Sequence, residues 1–495
     1  MAQLTVDDVN ILLKVIFGCT PPDFVQVYGL MAVATDDEFS RWYSQGWNFS
    51  TTLFHVGLDQ VVAGPCGLLA VVQGYIFLKL IYGVRAIDAL LDETVKFPTG
   101  TGAGSDIDKL LRTTNNDKEI ALAESLAMCI NNGATAPGLL LGNPDGKLRL
   151  VTLQDIHRPL IRNQQHQVKE TIFDNYEDLV SGILANMRHF QSESGMMLLL
   201  FSMIRTRGVR FVLGDRDNAN PFVVIGANMD QSLVSLAMSG QGVQSQIDGV
   251  QVIDVPIEAN GQPVQDGVPL ILHGLWRRSI LGCLYSDTHA TIGNFLMNPC
   301  YPIWIVGDGI HYTTFVLLDR MDTDKPVPQE LNLEENFYNN FLFKFTGTFN
   351  RLEKSGVLPI ESHRTFIYGL FYEIGQGMSE SDVDKILNLL KKKKIQTPQE
   401  FHTFFEQWLH KIARTTASFF SESVSVSSSS LASEQGINLL HWDGIGNSLL
   451  ERIFISDLEQ VAPPRFPSKT QAIIWSNTAL EWNNRHVTVI PVNIV

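Results

Sequence analysis

The segment Gln60-Val-Val-Ala-Gly-Pro-Cys66-Gly-Leu-Leu-Ala70 joins a structure-breaking turn to the start of an apolar helix. Gly64 and Pro65 interrupt regular structure, and apolar residues follow from Cys66 onward. A thiol in the first turn of a helix faces unpaired N–H groups and the positive end of the helix dipole. Both favour the thiolate, which is the nucleophilic form of cysteine. The segment therefore predicts a nucleophilic Cys66 at the start of a buried helix.

A second feature of this segment is the glutamine upstream of the cysteine. A side-chain amide at Gln60 can donate to a developing oxyanion together with the backbone N–H of Cys66. Glutamine followed by Gly-x-Cys before a buried helix is the arrangement that papain-like cysteine hydrolases use. A lone cysteine is more often a small buried hydrophobe, and that is the alternative. The Gly-Pro turn, Gln60 and the following helix together favour the nucleophile.

A cysteine nucleophile needs a base, and His311 is the best candidate among the 12 histidines. It stands at the head of the β-type run Ile310–Asp319, after the turn Gly307-Asp308-Gly309. This position and the chain order of cysteine before histidine match papain-like folds. His273 and His289 are the fallback bases. The third group, which would orient the imidazole, is less well defined by the sequence. Thr313 faces the same side of the strand, whereas Asp319 lies too far along an extended strand.

Composition and charge exclude several classes of function. The chain has 495 residues, with 37 Lys and Arg against 52 Asp and Glu, which gives a net charge of −15. This balance argues against a nucleic-acid partner, because phosphate binding needs clustered basic residues. Five cysteines without a CxxC pair predict reduced thiols in a cytoplasmic or nuclear protein. We expect no membrane segment, because the most apolar run, 68–82, is short and contains Gln73 and Lys79.

The helical and β-type patterns predict an α+β fold. Residues 5–18, 67–91, 118–131 and 172–206 have the apolar spacing of helices, whereas short β-type runs begin near residue 270. A serine-rich stretch at 421–433 predicts a flexible linker. The expected organisation is a catalytic domain at 1–336, a helical unit at 337–412, a linker at 413–436, and a segment at 437–495 that packs back on the catalytic domain.

The helical unit at 337–412 carries the outline of an EF-hand. With Gly356 at the sixth loop position, Leu358 falls on the eighth, where an EF-hand has an apolar residue. The positions that would ligate calcium hold one carboxylate, and they are Arg351, Glu353, Ser355 and Ser362. A hard cation needs several carboxylate oxygens. We therefore expect a degenerate EF-hand-like pair that binds no metal, with a plain helical hairpin as the alternative.

Several sequence blocks resemble the MINDY family of cysteine deubiquitinases, specifically the branch of its third and fourth members. The blocks are Arg41-Trp-Tyr-Ser-Gln-Gly-Trp-Asn-Phe-Ser50, the segment from Gln60 through Gly-Pro-Cys66 to Gln73, Gly293-Asn-Phe-Leu296, and Tyr301-Pro-Ile-Trp-Ile-Val306 followed by His311. The resemblance covers residues 35–90 and 265–320 well. One departure is Ala63, because the family usually has Gly-Gly-Pro-Cys at this point.

The resemblance implies a fold, a reaction and a substrate. The fold is a variant of the papain-like cysteine protease with an inserted, degenerate EF-hand-like unit. The reaction is hydrolysis of isopeptide bonds in polyubiquitin, preferentially of the lysine linkage that directs proteins to the proteasome. Cys66 would be the nucleophile, His311 the general base and Gln60 the oxyanion donor. The resemblance does not supply the residue that orients His311, for which the strand spacing leaves Thr313 as the candidate. No cofactor is implied, and the partners are ubiquitin and its chains.

Two other functions are compatible with the sequence. A pseudoenzyme would hold ubiquitin without cutting it, and the alanine at position 63 is its only support, since Ala would be strained if that position required a positive φ. An unrelated papain-like peptidase or acyltransferase would not need the blocks around Trp47 and Trp304. The aromatic residues Trp42, Trp47 and Phe49 either belong to the core or contribute to a ubiquitin-binding surface.

Overall fold

The computed structural model of the chain describes residues 2–18, 36–51, 55–91, 109–136, 145–158, 160, 168–216, 221–224, 228–253, 270–275, 277–285, 292–297, 299–307, 311–318, 345, 349, 352, 356–367, 380–395, 397–401, 403–404, 437–443, 450–455 and 487–491. The predicted linker at 421–433 lies outside these residues. None of the helices in the described ranges is long and apolar enough to cross a membrane.

The described residues form an α+β fold. The helices are α1 (Val6–Phe17), α2 (Asp36–Tyr43), α3 (Cys66–Tyr82), α4 (Ala86–Leu91), α5 (Asn115–Thr135), α6 (Tyr176–Ala185), α7 (Met187–Gln191), α8 (Gly195–Arg207), α9 (Val209–Gly214), α10 (Gln231–Ser239), α11 (Asn294–Met297) and α12 (Glu380–Lys393), with a 3₁₀ helix at Ile360–Ser362. The strands are β1 (Ala2–Gln3), β2 (Leu148–Leu153), β3 (Val168–Phe173), β4 (Val250–Ile253), β5 (Leu270–His273), β6 (Gly282–Tyr285), β7 (Ile303–Gly307), β8 (Tyr312–Leu317), β9 (Ile437–Trp442), β10 (Leu450–Ile455) and β11 (Val487–Pro491).

The N-terminal helix begins and ends as the sequence predicts. Thr5 caps α1 by accepting from the backbone N–H of Asp8, and the Asp8 carboxylate accepts from the backbone N–H of Thr5. This reciprocal pair satisfies two N–H groups at the start of the helix. Gly18 ends the helix with φ of 78°, a conformation that costs glycine little.

Helix α3 is the centre of the main core. Every residue from Cys66 to Leu78 is buried. A helix that is apolar on all sides is stable only when other elements cover it on all sides. It packs against α5 and α10 on one side and against β7 and β8 on the other. Helix α5 in turn packs on α8, which covers β2. The helix that starts at the candidate nucleophile is thus fixed from several directions.

The largest sheet has six strands in the order β11-β10-β9-β8-β7-β6. All its neighbours are antiparallel except β6 and β7, which run parallel. Strand β9 pairs with β8, with Trp442 opposite Thr314 and Leu439 opposite Leu317. The strands of residues 437–491 therefore extend the sheet that contains β8, the strand directly after His311. The domain limits themselves stay a prediction.

The predicted helix over 172–206 is wrong at its start. Residues 168–173 form strand β3, which pairs with β1 and β2, and the helices in this region begin at Tyr176. The reason is local: the stretch Val-Lys-Glu-Thr-Ile-Phe is rich in β-branched residues, which fit a pleated strand. Asn175 then caps α6 by accepting from the backbone N–H of Asp178.

Residues between 345 and 404 have a hydrophobic core of their own, separate from the main one. Leu358 is fully buried in it and Gly356 has φ of 80°, a left-handed conformation that favours glycine. Both features fit the predicted loop register of an EF-hand. The candidate ligand positions Arg351, Glu353 and Ser355 lie outside the described residues, so the EF-hand-like character stays a prediction.

Candidate active site

The turn before Cys66 depends on one glycine. Gly64 has φ of 134°, which side-chain-bearing residues rarely adopt. Ala63 is not among the residues with positive φ, and it is exposed to solvent. The alanine that replaces the usual first glycine of the family's Gly-Gly-Pro-Cys is therefore accommodated without backbone strain. The one sequence feature that favours an inactive protein has no conformational basis.

Cys66 is the first residue of α3, and its side chain is 7% exposed. Pro65 precedes it, no side chain caps the helix, and the first turn carries no acidic residue. The N–H groups of the first turn therefore remain directed toward the region of the thiol. An anion that forms at this sulfur, or on an acyl group attached to it, would meet the positive end of the helix.

Glycine at position 67 lets strand β8 approach the start of α3. A Cβ atom there would lie 2.1 Å from Cε of Met229 and 3.0 Å from Cδ2 of Tyr312. Further along, the Oγ1 of Thr314 donates to the Ala70 carbonyl at 3.0 Å. These contacts fix the first turns of α3 beside the first residues of β8. The residue before Tyr312 is His311, so the same contacts hold the imidazole near the thiol.

The His311 side chain lies between Cys66 and Asp443 and is 15% exposed. Its Nε2 contacts the Asp443 backbone carbonyl at 2.8 Å and the Asp443 Oδ1 at 3.0 Å. Burial alone would lower the pKa of His311, but hydrogen bonds to Asp443 and Cys66 outweigh it and raise the pKa to about 10. The arrangement therefore favours the imidazolium form of His311 beside Cys66.

Asp443 is a residue that the sequence analysis missed. The only local signal is an acidic side chain directly after the strand Ile-Asn-Leu-Leu-His-Trp. Its proximity to His311 comes from the pairing of β8 with β9, which joins distant parts of the chain. Thr313, the predicted orienting residue, has no hydrogen bond to His311 in the part of the chain that the structure describes. The carboxylate that contacts His311 is that of Asp443, and the orienting role of Thr313 stays a prediction.

Gln60 lies in the loop before Cys66, and its amide interacts within that loop. Its Nε2 donates to the Val62 carbonyl at 3.2 Å, while its Oε1 is buried without a hydrogen-bond partner among the described residues. Gln45, which is buried, accepts from the backbone N–H of Val62 at 3.0 Å and so ties down the same loop. The role of Gln60 as oxyanion donor stays a prediction.

The fallback bases, His273 and His289, are not found beside Cys66 among the described residues. His273 is the last residue of β5, which pairs with β4 in a separate two-stranded sheet. His289 and Asp319 lie outside the described residues. His311 is the histidine that contacts Cys66.

The aromatic block upstream of the cysteine belongs to the core. Trp42 and Trp47 are fully buried, and the indole of Trp47 donates to the Gly195 carbonyl at 3.1 Å. A Cβ at Gly46 would lie 2.3 Å from the backbone oxygen of Ser192, so only glycine fits between these segments. The block therefore packs in the core next to the loop before Cys66, to which Gln45 is bonded through Val62. The two tryptophans are buried and do not form a binding surface.

Comparisons with known proteins agree with the blocks singled out in the sequence. The domain described as "Deubiquitinating enzyme MINDY-3/4, conserved domain" matches residues 31–340, which is more than half of the chain. The ubiquitin carboxyl-terminal hydrolase MINDY-3 homolog of Drosophila melanogaster is 25% identical over 334 residues, covering 60% of this chain and 56% of that protein. The ubiquitin carboxyl-terminal hydrolase MINDY-3 of Xenopus tropicalis is 22% identical over 317 residues, covering 60% of this chain and 64% of that protein.

A human relative has a similar identity to this chain over a smaller share of both proteins. The probable ubiquitin carboxyl-terminal hydrolase MINDY-4 of Homo sapiens is 26% identical over 291 residues, covering 55% of this chain and 33% of that protein. The chain thus spans less than two thirds of the length of these relatives. No solved structure matches it. The match to the conserved domain, which includes both Cys66 and His311, shows that the chain belongs to the MINDY-3/4 family of deubiquitinating enzymes.

Proposed function

We propose that this chain is a thiol-dependent deubiquitinase that hydrolyses the isopeptide bond between the C-terminus of ubiquitin and a lysine amine. The observation that carries the proposal is the contact between His311 and Cys66 at the start of a buried helix. Family membership supplies the substrate class, since the relatives are named ubiquitin carboxyl-terminal hydrolases. The cysteine–histidine pair, the helix that follows Cys66 and the strand that follows His311 support a papain-like arrangement.

The proposed reaction begins with the proton of the Cys66–His311 pair on His311, which leaves the Cys66 sulfur as the thiolate, the nucleophilic form. The sulfur then attacks the carbonyl carbon of the terminal glycine, and the carbonyl oxygen becomes an oxyanion. The backbone N–H of Cys66 and the side-chain amide of Gln60 donate to this oxygen. His311 returns the proton to the leaving lysine amine, and the thioester that remains is hydrolysed by water. The products are the freed lysine side chain and a ubiquitin with a carboxylate end.

The loop before Cys66 offers an apolar approach to the thiol. Val61 is 72% exposed, although large apolar side chains are usually buried, and it lies next to Gln60. An extended substrate tail would pass this loop on its way to the sulfur. The resemblance further implies a preference for the lysine linkage that directs proteins to the proteasome, action in the cytoplasm or nucleus, and an EF-hand-like insert without metal.

Two competing functions are less well supported. For a ubiquitin-binding pseudoenzyme, the contact between Cys66 and His311 would have no purpose, and Ala63 has no strained backbone to explain a loss of activity. For an unrelated peptidase or acyltransferase, the match to the MINDY-3/4 domain over residues 31–340 would have no explanation. Hydrolysis of ubiquitin chains therefore fits the observations best.

The proposed substrate is tested by incubating the full chain with di-ubiquitin of every lysine linkage and with linear di-ubiquitin. We expect cleavage of the proteasome-directing linkage to be fastest, and longer chains of that linkage to be cut as well. Gel electrophoresis over time gives the rate for each linkage. Equal rates for all linkages would refute the preference, and no cleavage of any linkage, with the fold intact by circular dichroism, would favour the pseudoenzyme.

Replacement of Gln60 by alanine tests the oxyanion donor. We expect kcat to fall about 10²- to 10³-fold with little change in KM, because the amide would act mainly on the charge of the transition state. The measurement is steady-state hydrolysis of a fluorogenic amide of ubiquitin. Gln45→Ala is the control, because it loosens the same loop through its bond to Val62 without removing the proposed donor. Equal losses of kcat in the two variants would assign the effect to loop geometry and contradict the donor role.

A further inference from the structure

The strand register brings the end of β9 level with the beginning of β8. Trp442 is opposite Thr314, and the two strands are antiparallel. Asp443 directly follows the last residue of β9, and His311 directly precedes the first residue of β8. The position is held by burial, because Trp442 is 1% exposed and the His441 ring stacks on Phe315 at 4.5 Å. Strand β10 pairs along the whole of β9, so Asp443 is attached to a rigid part of the sheet.

Two oxygen atoms of Asp443 meet a single nitrogen of His311. The carbonyl and the carboxylate lie 2.8 Å and 3.0 Å from Nε2, so both act as acceptors for one N–H. A proton on Nε2 leaves Nδ1 as the ring nitrogen available to Cys66. The contact therefore selects one tautomer of the neutral imidazole and one orientation of the ring, as the third residue of a catalytic triad does.

The charge of Asp443 acts where both side chains are partly shielded from solvent. The His311 side chain is 15% exposed and the Asp443 side chain is 30% exposed. A carboxylate at hydrogen-bond distance favours the charged imidazole, and partial burial weakens the screening by solvent. Titratable groups that interact with His311 include Asp443 after β9 and Cys66 at the start of α3. Asp443 thus places a negative charge at hydrogen-bond distance from the imidazolium.

The match to the conserved domain ends at residue 340, before β9 begins. The pair Cys66 and His311 lies within the matched residues, whereas the carboxylate against His311 does not. We propose that Asp443 is the positioning residue of His311, so that the C-terminal strands complete the active site from outside the conserved domain. This inference deepens the proposed function, on which it rests, by assigning a third residue to the same site.

The test compares the full chain with Asp443→Asn and Asp443→Glu, and uses Asp174→Asn as the matched control. Asp174 is an exposed carboxylate that pairs with Lys147, away from the site. The first readout is the rate at which iodoacetamide alkylates Cys66, followed by mass spectrometry of the Cys66 peptide as pH is varied. The second is the pH dependence of kcat/KM on a fluorogenic amide of ubiquitin. Alkylation needs no ubiquitin, so it reports the thiol–imidazole pair even if the proposed substrate is wrong.

We expect Asp443→Asn to lower kcat/KM about 10- to 100-fold, less than the full contribution of an acid-base group, because the backbone carbonyl still holds Nε2. The amide lacks the charge that favours imidazolium, so His311 should lose its proton at a lower pH than in the wild type, and the pH profile of Cys66 alkylation should change between neutral pH and about 10. The alkaline limb of kcat/KM should move to lower pH. Asp443→Glu should recover part of both effects, and Asp174→Asn should behave as the wild type.

Unchanged alkylation together with an unchanged alkaline limb in Asp443→Asn would overturn the inference. A uniform loss of kcat/KM with no shift of either pH profile would also overturn it, since it would indicate a merely structural role. If the wild type cleaves no ubiquitin conjugate while the alkylation difference is present, the proposed substrate fails and the positioning role stands. Should the asparagine variant not fold, Asp443→Ser, which also lacks the charge, supplies the same pH comparison.

Discussion

A Cys66→Ala variant should form no covalent adduct with a ubiquitin that carries a C-terminal propargylamide, whereas the wild type should form one. The variant keeps the shape of the α3 start, since only the sulfur is removed and a methyl side chain remains in a buried position. Hydrolysis of ubiquitin chains should fall by about 10⁶-fold, the scale on which removal of a nucleophile acts. The adduct is measured as a shift of the chain on a denaturing gel and by intact mass.

The control for this experiment is Cys300→Ala, because Cys300 is half-buried and is more accessible than the other cysteines in the described ranges. Its loss should leave the adduct unchanged. An adduct that persists in Cys66→Ala but disappears in Cys300→Ala would show that the nucleophile has been assigned to the wrong thiol. No adduct with the folded wild type would favour the ubiquitin-binding pseudoenzyme.

A His311→Ala variant should lose about 10²- to 10⁴-fold in kcat, the contribution typical of a positioned acid-base group. The reason is that His311 is the group hydrogen-bonded to Cys66, so it can hold the thiol proton and protonate the leaving amine. In the wild type, the pKa of His311 is raised to about 10 by Asp443 and Cys66 against the effect of burial. The imidazolium is present below that pH, so activity should decline as the pH rises through about 10.

The matched control is His157→Ala, because His157 is exposed in a turn that follows β2. It should retain full activity. Rates are measured with a fluorogenic amide of ubiquitin across the pH range, and the free energy of unfolding is measured for each variant to exclude loss of fold. A His311→Ala variant with wild-type kcat would contradict the assignment and return His273 and His289 as candidate bases.

The position of the site follows from how α3 is packed. Helix α3 is buried on all sides, so its first residue cannot move independently of β8 and α10. Gly67 is the point of closest approach, where any side chain would meet Met229, Val234 and Tyr312. A cysteine that precedes this glycine is therefore presented to the start of β8 by the core itself. The preorganisation of the pair is a packing effect, which costs no motion at the moment of reaction.

Local features of the chain were enough to identify much of this arrangement. The Gly-Pro turn and apolar run at Cys66 predict the start of α3, because helix signals act over a few residues. Thr5 and Gly18 predict the ends of α1 for the same reason. The conserved-domain match confirms the family that the sequence blocks indicate. At residues 172–173, however, the apolar spacing predicts the start of a helix, whereas these residues end strand β3.

The third partner of the imidazole could be found only in the tertiary structure. Helix caps, turns and apolar periods are encoded by neighbours in sequence, so Cys66, the turn before it and the strand after His311 can be identified from the sequence alone. The contact between His311 and Asp443 joins residues 132 positions apart through the pairing of β8 with β9. Strand pairing depends on which apolar faces are buried together across the whole chain, and no spacing along the sequence specifies it. The sequence therefore determined the nucleophile and its base as candidates, and the sheet decided which carboxylate holds the base.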